Sequence, residues 1–267
     1  MNFWSRRGRT YCARPVQPAL TAELNASQGK VPGFDLAALQ GAHIVLIGAG
    51  GIGSQVATAL VRKGVGRLTL LDDDRVEDRN LTRQLFSKRD VGKFKAVQLA
   101  RRLARDGLFP TKIEAFPRRF QELVGRGHDF TKASILICGV DNNPSRRDVS
   151  AYAIDHDMVV IHAAVSRDGN QLYVMVQEPR QACWGCAFPH YVNDSNYPCN
   201  LPGIIDVLQV VAGFIVFAVD SIVCARPRTW NVRDTYLDGS LPDRTRSIDR
   251  RPDCSLCGTP EQSISSV

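Results

Sequence analysis

Four cysteines stand in two Cys-x-x-Cys pairs, Cys183 with Cys186 and Cys254 with Cys257. Two thiolate pairs separated by a long insert are the usual spacing of a structural tetrathiolate zinc site, because each tight turn supplies two corners of a tetrahedron. His190 follows the first pair, but four thiolates already complete such a site. The spacing therefore predicts one zinc ion held by the four cysteines.

A glycine-rich turn lies far upstream of the cysteines. It reads Gly-Ala-Gly-Gly-Ile-Gly over residues 48–53 and follows the apolar segment 44–47. Such a turn between a strand and a helix lets the backbone approach phosphates and directs helix N–H groups at them. The sequence therefore predicts a nucleotide-binding turn whose contact residues are Gly48, Gly50, Gly51 and Gly53.

The glycine spacing alone also satisfies the NAD fingerprint, and Asp72 stands where a ribose-binding acid belongs in that motif. A dehydrogenase would therefore be the first interpretation of this segment. A second set of polar residues follows, and hydride transfer has no need of it: the acidic run Asp72-Asp73-Asp74, the segment Asn80-Leu81-Thr82-Arg83-Gln84, then Lys95, and Asp141-Asn142 after a later apolar strand.

With these motifs the chain resembles the ThiF/MoeB family, the activating enzymes for ubiquitin-like proteins and sulfur carriers. The resemblance runs from about Gly41 to Gly258 and includes two Cys-x-x-Cys pairs in this order. It implies an ATP-dependent adenylyltransferase that activates the C-terminal glycine of a ubiquitin-like or sulfur-carrier protein and releases pyrophosphate. ATP, Mg²⁺ and Zn²⁺ are the implied cofactors.

The resemblance also implies roles for individual residues. Adenylation brings two anions together, so catalysis depends on positioning and on neutralising charge. Arg83 and Lys95 would bracket the triphosphate, Asp141 would hold Mg²⁺, and Asp72 would bind the ribose hydroxyls. Further nucleotide contacts are expected from Asp74, Asn80, Gln84 and Asn142.

Cys199 lies in the polar stretch 193–200, between the first cysteine pair and a long apolar segment. Family members that bond covalently to their carrier place the reactive cysteine here, which implies a thioester on Cys199 and a conjugating enzyme or sulfur donor as a later partner. The alternative is an incidental loop cysteine in an enzyme that only adenylates. Cys138, in an apolar strand, and Cys224, at a helix end, are expected to be structural.

The resemblance further implies a homodimer. Many relatives carry an Arg-Tyr-x-Arg-Gln segment near the N-terminus, whose arginine reaches the ATP of the partner subunit. Here Arg6, Arg7, Arg9 and Arg14 stand without that pattern, so the sequence identifies no such arginine. Two alternatives keep the fold: adenylation of a tRNA or peptide, and a scaffold with a degenerate nucleotide site.

Composition narrows the class of protein further. Lys and Arg number 34 against 27 Asp and Glu, and the resulting net charge of +7 is modest and widely spread, which does not favour nucleic-acid binding. Eight cysteines with no secretion signal at the start favour a reducing, cytoplasmic setting and metal binding. The apolar segment 203–224 is interrupted by Asp206, Gln209 and Asp220, so we expect a buried helix and no membrane span.

Strand and helix patterns alternate along the chain, which predicts a Rossmann-like, doubly wound and mostly parallel sheet with a C-terminal extension tied by the zinc site. The predicted strands are 44–47, 67–71, 113–116, 134–138, 158–162 and 172–176. The predicted helices are 36–39, 54–63, 93–105, 145–156 and 203–224. We expect a basic lead-in (1–40), a nucleotide-binding part (41–165), a zinc- and carrier-binding part (166–258) and a tail (259–267).

Overall fold

The computed structural model describes residues 3–5, 8–12, 18–193 and 203–258. Within these ranges ten strands form one sheet. In chain order they are β1 (Phe3–Ser5), β2 (Gly8–Cys12), β3 (His43–Ile47), β4 (Arg67–Leu71), β5 (Lys112–Phe116), β6 (Ile135–Cys138), β7 (Val160–Val165), β8 (Gln171–Gln177), β9 (Val232–Tyr236) and β10 (Arg244–Arg246).

The same ranges contain eight α-helices. They are α1 (Pro18–Asn25), α2 (Leu36–Gly41), α3 (Gly51–Lys63), α4 (Lys95–Asp106), α5 (Phe120–Gly125), α6 (Asn143–Asp155), α7 (Trp184–Ala187) and α8 (Ile205–Val223).

The middle of the sheet is parallel and is covered on both faces. Its strands lie in the order β5-β4-β3-β6-β7, so the chain builds outward from β3 in one direction and then from β6 in the other. One hydrophobic core packs α3, α4 and α8 on one face, and a second core packs α5 and α6 on the other. Burial on both faces explains why β3 and β6 are continuously apolar. The predicted fold class is confirmed.

Antiparallel strands extend this sheet on both sides. The hairpin β1–β2 pairs with β5, and β8, β9 and β10 continue the sheet beyond β7. Sequence analysis predicted β8 but none of the other four, because it interpreted the first 40 residues as a lead-in and the basic C-terminal part as loops. The expected boundary at 165 coincides with the last residue of β7, where pairing changes from parallel to antiparallel.

The predicted elements of the parallel part are present, with shifts of at most three residues at their ends. Helix α3 begins at Gly51 and not at Ser54, because the last two glycines of the turn are already helical. Helix α6 begins at Asn143, since the Asn142 side chain accepts a hydrogen bond from the backbone N–H of Ser145 at 2.9 Å and caps it.

Helix α8 is long and apolar enough to span a membrane by length and composition alone, with a mean hydropathy of 2.0. In the fold, half of it is buried, and it packs on α3, β7 and β8. Asp220 near its end is 1% exposed and forms ion pairs with Lys63 at 2.5 Å and Arg226 at 2.9 Å. These contacts make α8 a core helix, as the interrupting polar residues predicted.

Candidate functional site

A cavity of about 780 Å³ opens at the carboxyl ends of the parallel strands. It lies between the neighbouring strands β3 and β6, where the order in which strands are added to the sheet reverses. Open α/β sheets bind their ligands at such a switch point. Its walls include predicted contact residues from every part of the nucleotide half, namely Gly48, Gly50, Gly51, Asp72, Asp74, Asn80, Arg83, Gln84, Lys95, Asp141 and Asn142. The fold therefore gathers residues that are far apart in the sequence into one site.

The glycine turn is packed so closely that side chains are excluded. Gly48 has φ +97°, and a Cβ atom there would lie 2.8 Å from the carbonyl oxygen of Gly139. At Gly53, which sits beneath the turn, a Cβ would lie 1.9 Å from the carbonyl oxygen of Gly48. At Gly51 a Cβ would lie 2.7 Å from a methyl carbon of Leu208 in α8. Gly48 and Gly53 are therefore each required by a close approach to backbone, whereas a Cβ at Gly51 would meet only the end of the Leu208 side chain.

The N-terminus of α3 opens onto the cavity. Gly50 is the N-cap of this helix, and Gly50, Gly51 and Ile52 all line the site. The first N–H groups of a helix have no partner within it, and the helix dipole places positive potential at this end. The arrangement favours an anion such as a phosphate group.

Asp72 lies at the end of β4 beside this turn. Its two carboxylate oxygens accept hydrogen bonds from backbone N–H groups, one from Ala49 at 2.7 Å and the other from Asp74 at 2.9 Å. Burial raises the pKa of Asp72 to about 6, although the nearby Lys95 ammonium acts to lower it. The carboxylate is thus tied to the glycine turn and ionised at neutral pH.

Lys95 is the first residue of α4 and lines the cavity close to the end of β4. Its ammonium donates a hydrogen bond to Asp74 at 2.8 Å, and its side chain is 9% exposed against 65% for Asp74. The pair therefore joins an enclosed cation to a carboxylate at the surface. Asp74 is expected from the family resemblance to contact the nucleotide; in the structure its carboxylate accepts a hydrogen bond from Lys95.

The segment between β4 and α4 forms the upper wall. Asn80 is buried and accepts a hydrogen bond from the N–H of Glu77 at 2.9 Å, which closes the short 3₁₀ helix Asp78–Asn80. Arg83 lines the cavity and donates a hydrogen bond to the carbonyl of Arg79 at 2.7 Å. Gln84 is buried, and its side-chain oxygen has no partner among the described residues. Asn80 therefore shapes the wall, while Arg83 and Gln84 face the site with unused polar groups.

Asp141 and Asn142 lie in the turn between β6 and α6. Asn142 caps α6, whereas Asp141 is exposed. Among the residues that the structure describes, none forms a hydrogen bond or ion pair with the Asp141 carboxylate. An unpaired carboxylate beside a phosphate site suits a magnesium ligand, because Mg²⁺ binds one or two carboxylates together with phosphate oxygens.

Sequence analysis missed Arg146, which lines the same cavity and is 4% exposed. Its position one turn into α6 carries no motif in the interpretation above. One sequence signal could have pointed to Arg146. It lies five residues after Asp141 and therefore in the first turns of the helix that follows the Asp141 turn.

The four paired cysteines converge as predicted. Their sulfur atoms all lie within 4.8 Å of one another, with separations of 3.8 Å, 3.5 Å and 3.4 Å for Cys183–Cys186, Cys183–Cys254 and Cys186–Cys257. Zinc–sulfur bonds of about 2.3 Å in a tetrahedron place sulfur atoms about 3.8 Å apart. The buried tetracysteine cluster therefore fits a metal ion of this kind.

The thiols of the tetracysteine cluster differ in pKa, since burial raises the pKa of Cys183 and Cys186 whereas that of Cys254 is lowered. Burial opposes ionisation, but the N–H groups of Cys257 and Leu256 lower the pKa of Cys254 to about 7. The N–H of Arg251 donates to the sulfur of Cys186 at 3.3 Å. Such N–H donors around the sulfurs are typical of a metal centre with fixed ligands.

The remaining cysteines divide as follows. Cys138 is fully buried in β6, and burial raises its pKa to about 11, which confirms its structural role. Cys224 ends α8, and its thiol contacts the carbonyl of Asp35. Cys12 is exposed on β2. Cys199 lies outside the described residues, so its predicted role stays a prediction.

Comparisons with known proteins agree with this site. The ThiF family model matches residues 25–255. The sulfur carrier protein adenylyltransferase of Thermus thermophilus is 30% identical over 235 residues, which cover 82% of this chain and 83% of that protein. The adenylyltransferase and sulfurtransferase uba4 of Aspergillus niger is 28% identical over 82% of this chain, which spans about half (48%) of that protein.

Among solved structures, the chain is similar in fold to E. coli MccB, crystallised with ATP. The TM-score is 0.70 at 22% identity, and the match covers 84% of this chain and 68% of the other. At that identity the likeness speaks for the fold alone.

Proposed function

We propose, since this chain belongs to the ThiF family, that it is an ATP-dependent activating enzyme that adenylates the C-terminal glycine of a ubiquitin-like or sulfur-carrier protein. One observation carries the proposal. The helix N-terminus, the Asp72 carboxylate, two cations (Arg83 and Lys95) and the unpaired Asp141 carboxylate line a single cavity at the switch point of the sheet. A nucleoside triphosphate with its Mg²⁺ presents the complementary groups. Its ribose hydroxyls match Asp72, its phosphates match the helix N-terminus, Arg83 and Lys95, and its metal ion matches Asp141.

In this proposal Asp72 accepts hydrogen bonds from the ribose hydroxyls, and the phosphates lie along the N-terminus of α3. Lys95 then exchanges its ion pair with Asp74 for a phosphate oxygen, which is a small change because Asp74 is largely solvated. Arg83 contacts the triphosphate from the segment between β4 and α4, and Gln84 supplies a further polar contact. Asn80 and Asn142 act through the backbone turns that they close.

The reaction that follows is an acyl adenylation. A terminal carboxylate oxygen of the carrier attacks the α-phosphorus of ATP, and the bond to the bridging oxygen breaks with release of pyrophosphate. Both reactants are anionic. Arg83 and Lys95 lower the barrier because their positive charges are held in place before the reaction and neutralise the negative charge of the reactants. Asp141 would hold Mg²⁺, which when bound shields the phosphates and assists departure of pyrophosphate.

The tetracysteine cluster would hold Zn²⁺ in a structural role. Four thiolates complete a tetrahedral shell and leave no open position for substrate. The cluster joins the turn after β8 to the C-terminal end of the described chain, so we propose that its metal secures the extension of the sheet.

A second step is proposed for Cys199. Its thiolate would attack the carbonyl carbon of the acyl-adenylate, and AMP would leave as the thioester forms. The alternative is an enzyme that only adenylates and passes the adenylate to a separate sulfur donor or conjugating enzyme. Substituting Cys199→Ala should preserve pyrophosphate exchange and abolish any thiol-sensitive carrier complex, while Cys138→Ala preserves both.

The family resemblance also supports a homodimer in the cytoplasm, where thiols stay reduced. Light scattering on the purified protein tests the oligomeric state directly.

The experiment that tests the proposed function is ATP–pyrophosphate exchange with small carrier proteins ending in Gly-Gly from the same genome. Exchange should require the intact carrier, and the same carrier lacking its terminal glycine is the matched substrate control. Lys95→Met should reduce exchange by about a hundredfold or more, as the loss of one principal electrostatic element does.

Lys93→Met is the matched enzyme control, because Lys93 is exposed two residues away and donates only to the carbonyl of Arg89. It should retain wild-type exchange. If exchange occurs equally with the truncated carrier, or is absent with every Gly-Gly carrier offered, the proposed substrate class is wrong.

A further inference from the structure

Arg146 is a buried cation that the proposed mechanism does not use. It lines the cavity, is 4% exposed, and forms no ion pair with a carboxylate in the described part of the chain. Three titratable groups that feel its charge, Cys138, His162 and Tyr173, are neutral at pH 7. Burial raises the pKa of Cys138 to about 11, and burial followed by the charge of Arg146 lowers the pKa of His162 to about 3. Burying a charged guanidinium without a carboxylate partner is energetically unfavourable, so the position of Arg146 requires an explanation.

The hydrogen bonds of Arg146 all reach back to one turn. One terminal nitrogen donates to the carbonyl of Val140 at 2.7 Å, and the other donates to the side-chain oxygen of Asn143 at 2.9 Å. These two acceptors lie on either side of Asp141 and Asn142. The planar guanidinium therefore spans the turn with two bonds of fixed relative direction, which an ammonium group cannot do.

The helix that carries Arg146 is itself firmly anchored. One turn further along α6, the hydroxyl of Ser150 donates to the side-chain oxygen of Gln177 at 2.6 Å, and the Gln177 amide donates back to the Ser150 carbonyl at 3.1 Å. Gln177 also accepts from the N–H of Trp184 at 3.0 Å. All three residues are buried, so Arg146 projects from a rigid support.

The turn residue Asp141 has no comparable anchoring hydrogen bonds from its own side chain to any described residue. Its side chain is exposed and unpaired among the described residues, and the turn begins directly after the last residues of β6. A single peptide unit joins the Val140 carbonyl to the Asp141 nitrogen, so the bond from Arg146 to that carbonyl sets the orientation of the Asp141 backbone.

We propose that Arg146 is a positioning residue of the adenylation site, which fixes the direction in which Asp141 presents its carboxylate to the magnesium–nucleotide complex. This inference rests on the function proposed above. Asp141 contacts the complex in that scheme, whereas Arg146 acts only through the turn.

The test is the effect of Mg²⁺ on ATP binding, measured by calorimetry without any carrier. The magnesium preference is the Kd for ATP in EDTA divided by the Kd with excess Mg²⁺. The wild type should show a clear preference, and Asp141→Ala should remove it.

Arg146→Lys keeps the charge but replaces the two terminal guanidinium nitrogens by one ammonium nitrogen, which cannot reproduce two hydrogen bonds of fixed relative direction. It should lower the magnesium preference about tenfold, as expected for the loss of a charge-assisted hydrogen bond, and leave the Kd in EDTA unchanged. Arg147→Met is the matched control, since Arg147 is 43% exposed on the same helix and pairs only weakly with Asp148, at 3.4 Å. It should keep the wild-type preference.

Zinc content and Tm show whether Arg146→Lys is folded. Should it fail to fold, Asn143→Ala carries the same test, because it keeps the guanidinium and removes one acceptor; we expect about a threefold lower preference. A folded variant that keeps the wild-type preference, or weakens ATP binding equally in both conditions, overturns the role of Arg146. A wild type that binds no ATP in either condition overturns the proposed function itself.

Discussion

Adding one methyl group at Gly53 should collapse the nucleotide site, while the same addition at Gly213 should stabilise the protein. Both glycines lie within α-helices, Gly53 in α3 and Gly213 in α8. A Cβ at position 53 would lie 1.9 Å from the carbonyl oxygen of Gly48, whereas at position 213 no described atom lies within 4 Å. The pair therefore separates helix propensity from packing within one chain.

The magnitudes follow from these distances. A carbon and a carbonyl oxygen need more than 3 Å, so Gly53→Ala must move the glycine turn or the helix by over about 1 Å. Overpacking of this kind costs about 1–3 kcal/mol of stability. A displacement near 1 Å at a positioning element costs about a hundredfold in catalysis. Gly213→Ala should instead gain about 0.5–1 kcal/mol, because alanine loses less backbone entropy in a helix.

Thermal unfolding and ATP titration of the two variants provide the measurement. Gly213→Ala should raise Tm by about 1–4 °C and leave the Kd for ATP unchanged. Gly53→Ala should lower Tm and weaken ATP binding by about a hundredfold. Wild-type affinity for ATP in Gly53→Ala would refute the assignment of this turn as the phosphate site, since its backbone would then tolerate displacement.

Three further predictions concern the charges and the metal. Asp141→Ala should reduce carrier-dependent ATP–pyrophosphate exchange by about a hundredfold or more; exchange at the wild-type rate would remove Asp141 from the mechanism. Asp72→Asn should weaken ATP binding at pH 7.5, and because the pKa of Asp72 is raised to about 6, the ratio of variant to wild-type Kd should fall towards one as the pH drops below 6. Taking the ratio at each pH cancels the titration of ATP itself, and a ratio independent of pH would contradict an ionised Asp72 at the ribose. Cys254→Ser should lose bound zinc and lower Tm by about 10 °C, as a loss of several kcal/mol does in a chain of this size. Cys224→Ser, outside the cluster, should change neither zinc content nor Tm. If the wild-type protein is purified without zinc and the addition of zinc does not change its Tm, the structural metal is excluded.

The parallel part of the sheet could be predicted from sequence because β3, β4, β6 and β7 are almost entirely buried and are therefore mostly apolar. The outer strands carry no such signal. β9 reads Val-Arg-Asp-Thr-Tyr, and its buried Asp234 is balanced by Arg246 of β10 at 2.7 Å. β10 itself is Arg-Thr-Arg and fully exposed at the sheet edge. Polar edge strands of this kind resist pairing with other chains, which also conceals them from any search for hydrophobic periodicity.

The same distinction holds within the site. Residues that lie at strand ends or in short motifs, such as Gly48 and Asp72, could be predicted from spacing alone. Arg146 could not, because its importance comes from hydrogen bonds to a turn whose path exists only after α6 has packed. Asp74 lines the cavity, but its carboxylate pairs with Lys95 from another element, and sequence spacing does not show which charges meet.

The tetracysteine cluster explains how the extension beyond β7 stays folded. One face of β8 is covered by α8 and belongs to the main core. The other face of β8 and the start of β9 have only a small core, formed by residues such as Met175, Trp184 and Val232 together with the four cysteines. A core of this size supplies little stability by itself, and small units of this kind usually need a metal or a disulfide. Since Trp184 donates to Gln177, which in turn holds α6 through Ser150, loss of the metal should loosen first the extension and then the helix that carries Arg146. The glycine turn and the strands packed against α3 and α4 belong to the main core, whereas the four cysteines belong to the small one. The glycine turn and these strands should therefore persist longest.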